Sequence, residues 1–339
     1  MEGSLRPKTK TTTKPAGEIM IARIQELNSD LVEEFTMEEM RLRLAQAESK
    51  NVVSADVVID DVVDLFKTSD DIQGITLPWK KSHDNFRFRP KEITLVAGVN
   101  GHKKTTVMSQ AMLHVANQVP VGIMSFEMPL EKTVQMLVQQ AYCKAAGDVD
   151  MVKRFVDWSQ GRMWFYRALG TVKTERVFGC LFAMASLGCK VILIDNLQKC
   201  GVSTDPEKER DFMADLTSCA SALGISIVLV HHIRKPDRMT ENWRPNRFDV
   251  RGSGSLTDQA HNVVIVFHNK NRAAVLQKQE SGQALYPEER EILRDFCDIE
   301  FIVEKQRDWG FEDTIELYEG NGRSLKDFAE SPDLRLEGL

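Results

Sequence analysis

The residues Gly98-Val99-Asn100-Gly101-His102-Lys103-Lys104-Thr105 follow the apolar run Ile93–Ala97 and fit the phosphate-binding pattern G-x-x-x-x-G-K-[ST] at all but one fixed position. Gly98, Lys104 and Thr105 stand where the pattern requires them, whereas Lys103 occupies the place of the second glycine. A loop of this kind, entered from a strand and left through a helix, surrounds phosphates with backbone N–H groups and a helix N-terminus. The expected nucleotide-binding residues are Gly98, Val99, Asn100, Gly101, His102, Lys103, Lys104, Thr105 and Thr106. Lys104 would neutralise the β and γ phosphates of ATP or another NTP, and Thr105 would place its hydroxyl on Mg²⁺. Lys103 leaves two outcomes open. Its Cβ or its φ obstructs the loop and weakens binding, or the side chain swings outward and is tolerated.

Three further residues end apolar runs. Asp195 closes Val191–Ile194, the place of a carboxylate that holds Mg²⁺, and Thr105 and Asp195 are the expected metal residues. Glu127 closes Val121–Phe126 and is placed to take a proton from water attacking the γ-phosphate. The alternative for Glu127 is a charge at the N-terminus of the helix starting near Pro129. Ile225–Val230 leads into His231-His232, of which only one can face the nucleotide, because successive strand residues point to opposite faces. His232 is the expected sensor of the γ-phosphate.

Arg234–Arg251 holds six cations against three anions in a chain whose net charge is −6. Its Pro and Asn residues and Trp243 make it a loop. Arg251-Gly252-Ser253-Gly254-Ser255-Leu256 follows, with small residues that allow close approach of backbone to phosphate. Arg234, Lys235, Arg238, Arg251, Gly252, Ser253 and Gly254 are the expected DNA contacts. A solvated connection is the competing reading of this segment. Trp243 is open between stacking on a base and covering apolar surface.

The elements that must position these groups are legible as alternation. Short runs apolar throughout (Ile93–Ala97, Val121–Phe126, Val191–Ile194, Ile225–Val230, Val263–Phe267) predict strands buried on both faces, as in a parallel sheet. Helices are expected over Lys104–Gln118, Leu130–Ala146, Lys173–Leu187 and Glu207–Leu223. Asp298–Gln306 and Thr314–Tyr318 would add antiparallel strands at one edge. Residues 1–16 are expected as a disordered arm, 17–85 as a helical N-terminal segment, 86–322 as the α/β core and 323–339 as a loose charged tail. The composition, 42% hydrophobic and 28% charged, is that of a globular protein. No apolar run is long enough to span a membrane. Six scattered cysteines without a C-x-x-C pair argue against zinc and disulfides and suggest a cytoplasmic location.

Taken in order, these segments resemble the hexameric replicative DNA helicases of the DnaB type, and most closely the helicase domain of phage primase-helicases. Ser125-Phe126-Glu127-Met128 looks like the stretch carrying that family's catalytic glutamate. His232–Asp237 resembles its sensor motif, Asp249–Leu256 its DNA-binding motif and Glu304-Lys305-Gln306-Arg307 its K-x-R element. The resemblance covers roughly residues 86–320. It implies a RecA-like P-loop NTPase core that forms a homo-hexameric ring around single-stranded DNA. It implies catalysis by Lys104, Glu127 and His232 of one subunit with Arg307 and Lys305 of the next. Without the resemblance, Lys305 and Arg307 read as charges protecting an edge strand. No primase module is visible in 1–85, so a separate primase or polymerase is an expected partner. The helical segment before the core resembles the linker helix that docks on an adjacent subunit, and an intramolecular contact fits it equally. Two other readings compete: a degenerate ring, with weak or no hydrolysis, that binds DNA or a helicase, and a RecA-like recombinase or circadian-type ATPase.

Overall fold

In the computed structural model the described residues are 74–339, apart from 203–204, 235–242, 253, 309, 337 and 339, together with positions 54, 56, 59, 62 and 63. The expected disordered arm, most of the helical N-terminal segment, and Lys235, Arg238 and Ser253 lie outside them. Contacts divide the chain into two units, Met1–Ser69 and Asp70–Leu339, and everything below concerns the second.

The second unit is built on a nine-stranded sheet. Its parallel centre consists of β3 (Ile93–Gly98), β4 (Val121–Ser125), β5 (Met163–Phe165), β6 (Val191–Asp195), β7 (Ser226–His232) and β8 (Asn262–His268). Three antiparallel strands follow at one side, β9 (Ile299–Gln306), β10 (Thr314–Glu319) and β11 (Leu325–Lys326), giving the order β11-β10-β9-β8-β3-β7-β6-β4-β5. All six residues of β3 and all seven of β8 are buried, as expected for strands covered on both faces. β10, by contrast, alternates exposed and buried positions at its start. The antiparallel edge expected from the two later runs is present.

Strand alternation divides the core into two layers. Val96, Val228 and Val230 face α1 (Lys104–Val115), α2 (Leu130–Tyr142) and α3 (Val149–Ser159), through Met108, Leu137 and Phe155. Leu95, Ile227 and Leu229 face α4 (Thr174–Ser186), α5 (Pro206–Leu223) and the short α6 (Gly254–Gln259), through Leu181, Leu216 and Leu256. Helices α7 (Lys270–Glu280) and α8 (Pro287–Asp295) connect β8 to β9, with Lys278 Nζ 2.8 Å from Glu289 Oε2.

Two stretches differ from expectation. Residues 74–85, read as the end of the N-terminal segment, pack on the core: β1 (Ile75–Thr76) pairs with β2 (Arg87–Phe88), and Leu77 and Trp79 are fully buried. The tail expected to be loose supplies β11, and the Trp79 indole N–H donates to the Leu325 carbonyl at 3.3 Å. The charges of these stretches hid a few large apolar side chains that bury against the core.

Candidate functional site

Strand register assembles the site. Gly98 of β3 pairs with His232 of β7, Asp195 of β6 pairs with Val230, and Ser125 of β4 pairs with Asp195. The carboxyl ends of four adjacent strands therefore lie level, which is where open α/β sheets place ligands. Gly98 is required there: an added Cβ would sit 2.5 Å from the Val266 carbonyl oxygen.

The Lys104 ammonium, 7% exposed, donates to the carbonyls of Gly98 (2.9 Å) and Val99 (3.1 Å) and reaches His232 Nδ1 at 3.4 Å. Burial pulls its pKa down, against the opposing pull of Asp195 and Glu127. The Thr105 hydroxyl donates to Asp195 Oδ2 at 2.8 Å. Asp195 is almost wholly buried, and burial raises its pKa to about 6 despite the Thr105 hydrogen bond. His232 is held on three sides, with the Asn196 amide 2.7 Å from Nε2 and Glu127 Oε1 at 3.7 Å. Lys104 Nζ and Asn196 Nδ2 both present donors to the ring, and a neutral imidazole accepts through only one of its nitrogens. Burial, then Lys104, lowers the His232 pKa.

Thr105 and Asp195 offer a hydroxyl and a carboxylate side by side, an oxygen donor set suited to Mg²⁺. Two such protein ligands suit an ion whose remaining ligands come from phosphate and water. All six cysteines are free and buried.

The rest of the loop divides. Gly101 has φ +79° with open space around it, and Asn100 is exposed. The side chain of His102 turns into the core: its ring lies tilted against Phe267 with centroids 5.2 Å apart, and its Nδ1 accepts the His268 N–H at 3.2 Å. Lys103 takes the left-handed conformation that favours glycine (φ 60°, ψ 21°), and its ammonium pairs with Glu319 on β10. The Lys103 side chain has thus swung outward while the backbone keeps the turn. Thr106 supplies a carbonyl to Gln140 Nε2 at 2.8 Å.

The basic segment is only partly free. Arg244 pairs with Glu300 at 3.0 Å and lies over the Phe267 ring, and Arg247 N–H donates to Glu304 Oε2 at 3.2 Å. Two of the six cations are thereby engaged by β9. Trp243 packs edge-on to Phe267 and partly buries against the core, as a cover for apolar surface does. Arg234 donates to the Gly252 carbonyl at 2.9 Å. Gly252 has φ +105°, and a Cβ there would lie 2.8 Å from Glu209 Oε1. Gly254, expected in a loop, opens α6. Sequence reasoning passed over His231, yet it ties this loop to the site. Its Nε2 donates to the Arg251 carbonyl at 2.6 Å, while Arg251 N–H donates to the His232 carbonyl at 2.9 Å. Burial lowers the His231 pKa to about 4.

Lys305 and Arg307 are not brought to this site. β9 runs antiparallel to β8, and its Gln306 pairs with Asn262, at the opposite end of the sheet from Gly98. Lys305 Nζ donates to the carbonyls of Thr257, Asp258 and Ala260 at 2.8–2.9 Å, capping α6, and Arg307 Nη2 donates to the Asp258 carbonyl at 2.6 Å.

Residues 68–238, just over half of the chain, match the model of a family described as an AAA domain, and the chain belongs to that family. Its RecA-like core is similar to a solved structure described as an ATPase domain, with a TM-score of 0.66 over 82% of this chain and 99% of that one at 16% identity. It is also similar to a DnaB-like replicative helicase described with its interactions with primase, with a TM-score of 0.62 over 92% of this chain and 76% of that one at 15% identity. At such identities the likeness is one of fold. No curated protein matches the chain. No helix among the described residues is long and apolar enough to cross a membrane.

Proposed function

We propose that this chain is an ATP-dependent replicative DNA helicase that translocates on single-stranded DNA as a homo-oligomeric ring, with hydrolysis at subunit interfaces. The observation that carries the reading is the convergence of Lys104, Thr105, Asp195, Glu127 and His232 at one level of the sheet, with the Thr105–Asp195 hydrogen bond at its centre. Lys104 would release its two loop carbonyls to phosphate oxygens. Thr105 and Asp195 would hold Mg²⁺, which supplies charge neutralisation on the triphosphate. Glu127, the more exposed carboxylate, is the group placed to accept a proton from the attacking water.

His232 touches Lys104 on one side, and its own carbonyl holds Arg251 on the other. A change at the phosphate therefore has a two-residue route to the expected DNA loop. Arg307 stands at the far end of the sheet from its own Lys104, which supports its acting on a neighbouring subunit's nucleotide. The DnaB-like protein that shares the fold is a replicative helicase described with primase, and we carry that role and a separate primase partner to this chain as part of the proposal. The outward Lys103 leaves the rest of the loop in place, which supports the motor over the degenerate ring.

The test is NTP hydrolysis with and without single-stranded DNA, followed by unwinding of a 5′-tailed duplex, beside Lys104→Ala. DNA-stimulated turnover that Lys104→Ala abolishes supports the motor. Turnover absent from the full chain, with DNA and Mg²⁺ both present, refutes it.

A further inference from the structure

Lys103 is the one phosphate-loop residue that also lines a neighbouring cavity of about 640 Å³, whose walls include Arg272, Tyr318, Glu319, Asn321 and Lys326. Its ammonium meets the Glu319 carboxylate at the boundary between loop and cavity. Glu319 has further neighbours. His268 Nε2 lies 3.3 Å from the same carboxylate oxygen, and the Glu319 N–H donates to Asp298 Oδ2 at 2.9 Å. Asp298 is itself fixed by Arg272 Nε at 2.7 Å, in a pair almost fully buried. The Glu319 backbone is therefore fixed by the fold and its carboxylate lies beside His268, whereas the lysine is a long side chain, about one-third exposed, with no other partner among the hydrogen bonds and ion pairs described.

We propose that Lys103 is a second phosphate-binding cation of this loop, held in reserve on Glu319 and transferred to the polyphosphate when a nucleoside triphosphate binds. The inference rests on the reading of the loop as a nucleotide site. The direction of transfer follows from charge: a triphosphate carries several negative charges against one on the carboxylate, so it attracts the ammonium more strongly at equal separation. Glu319 keeps His268 when the lysine leaves, so the exchange strands no buried charge. The substitution of lysine for the small residue thus adds a ligand contact, and Glu319 sets how much of its strength is available to the nucleotide.

A double-mutant cycle on the full chain reads this directly, with binding of a fluorescent ATP analogue and Mg²⁺ measured for Lys103→Ala, Glu319→Gln and the pair. Lys103→Ala weakens triphosphate binding roughly three- to tenfold, the scale of one partly exposed charge-assisted contact. Its effect grows from mono- to di- to triphosphate. Glu319→Gln tightens binding several-fold when Lys103 is present and has no effect in the Lys103→Ala background. Equal effects of Glu319→Gln in both backgrounds, weaker binding on Glu319→Gln, or tighter binding on Lys103→Ala each overturn the proposal. If Glu319→Gln does not fold, the phosphate-number dependence of Lys103→Ala decides alone. Lys104→Ala separates the two levels of the argument. A parent chain that binds no nucleotide refutes the site itself, whereas binding lost with Lys104→Ala but indifferent to Lys103 and Glu319 refutes only the exchange.

Discussion

The His231 imidazole donates to the backbone carbonyl of Arg251 at 2.6 Å, twenty positions along the chain, while the next residue, His232, faces Lys104. One dipeptide thus joins the lysine proposed to bind phosphate to the loop expected to hold DNA. Because strand neighbours point to opposite faces, the two imidazoles read opposite sides of the sheet edge.

His231→Gln is expected to lower the stimulation of hydrolysis by single-stranded DNA more than it lowers the DNA-independent rate. Loss of stimulation and basal rate in equal proportion would show that His231 serves the fold alone.

The same residue predicts a pH dependence of stability. Its folded pKa, about 4, lies below the ordinary 6.5, so the unfolded chain takes up the proton first as pH falls. The neutral imidazole's contribution is complete above pH 6.5 and is lost between 6.5 and 4, to an extent of about 3 kcal/mol. Asp195 runs the other way. Its folded pKa of about 6 lies above the ordinary 3.8, so its burial penalty is relieved as pH drops through the same window. The two oppose each other in the parent, and the comparison to make is denaturant unfolding of parent and His231→Gln at pH 7 and pH 5. The parent should lose more stability than the variant between those values.

Protonation of Asp195 would also remove its carboxylate from the Mg²⁺ site proposed above. The Mg²⁺-dependent part of nucleotide affinity is expected to fall as pH drops through about 6, a fall that titration of binding with and without EDTA would reveal. Affinity flat from pH 7 to 5 would remove Asp195 from the metal site.

Gly98→Ala is expected to destabilise the chain by about 1–3 kcal/mol, as overpacking does, and to displace Lys104. The added methyl would meet the Val266 carbonyl at 2.5 Å and the Lys104 Cδ at 3.2 Å. Thermal unfolding and nucleotide binding measured together should both suffer.

For the far end of the sheet, mixing is the decisive measurement. Lys104→Ala and Arg307→Ala subunits, each inactive alone, should regain part of the hydrolysis when combined, since each restores what the other lacks across an interface. Mixtures that stay inactive at every ratio would show that Arg307 does not act between subunits. Lys305→Ala should speed hydrogen exchange over residues 254–260, because the carbonyls at the end of α6 lose their shared donor.

Some of this was open to sequence reasoning and some was not, for identifiable reasons. β3, β6, β7 and β8 were legible because strands buried on both faces must be apolar at every position. α7 was not, since only Arg272 and Val275 of its eleven residues are buried and it shows no apolar stripe. Glu127, Asp195 and His232 were legible as residues that end apolar runs. The partners of Lys103 and of Arg244 were not. Glu319 and Glu300 come from β10 and β9, and such long-range ion pairs leave no local pattern. The inward turn of the His102 side chain was not legible, because a pattern assigns backbone positions in a loop and is silent on which side chains turn inward.

The Gln110 amide sits on α1, the helix that begins at the phosphate loop. Its nitrogen donates to the Leu325 carbonyl at 2.8 Å and its oxygen accepts the Leu325 N–H at 2.6 Å. A side chain here imitates the backbone of a tenth strand and closes the edge of β11 from within. The two ends of the unit are thereby sewn to one seam, because the Trp79 indole binds the same Leu325 carbonyl. A chain shortened before Leu325 would leave a buried amide and an indole facing nothing, directly beneath the helix that carries Lys104.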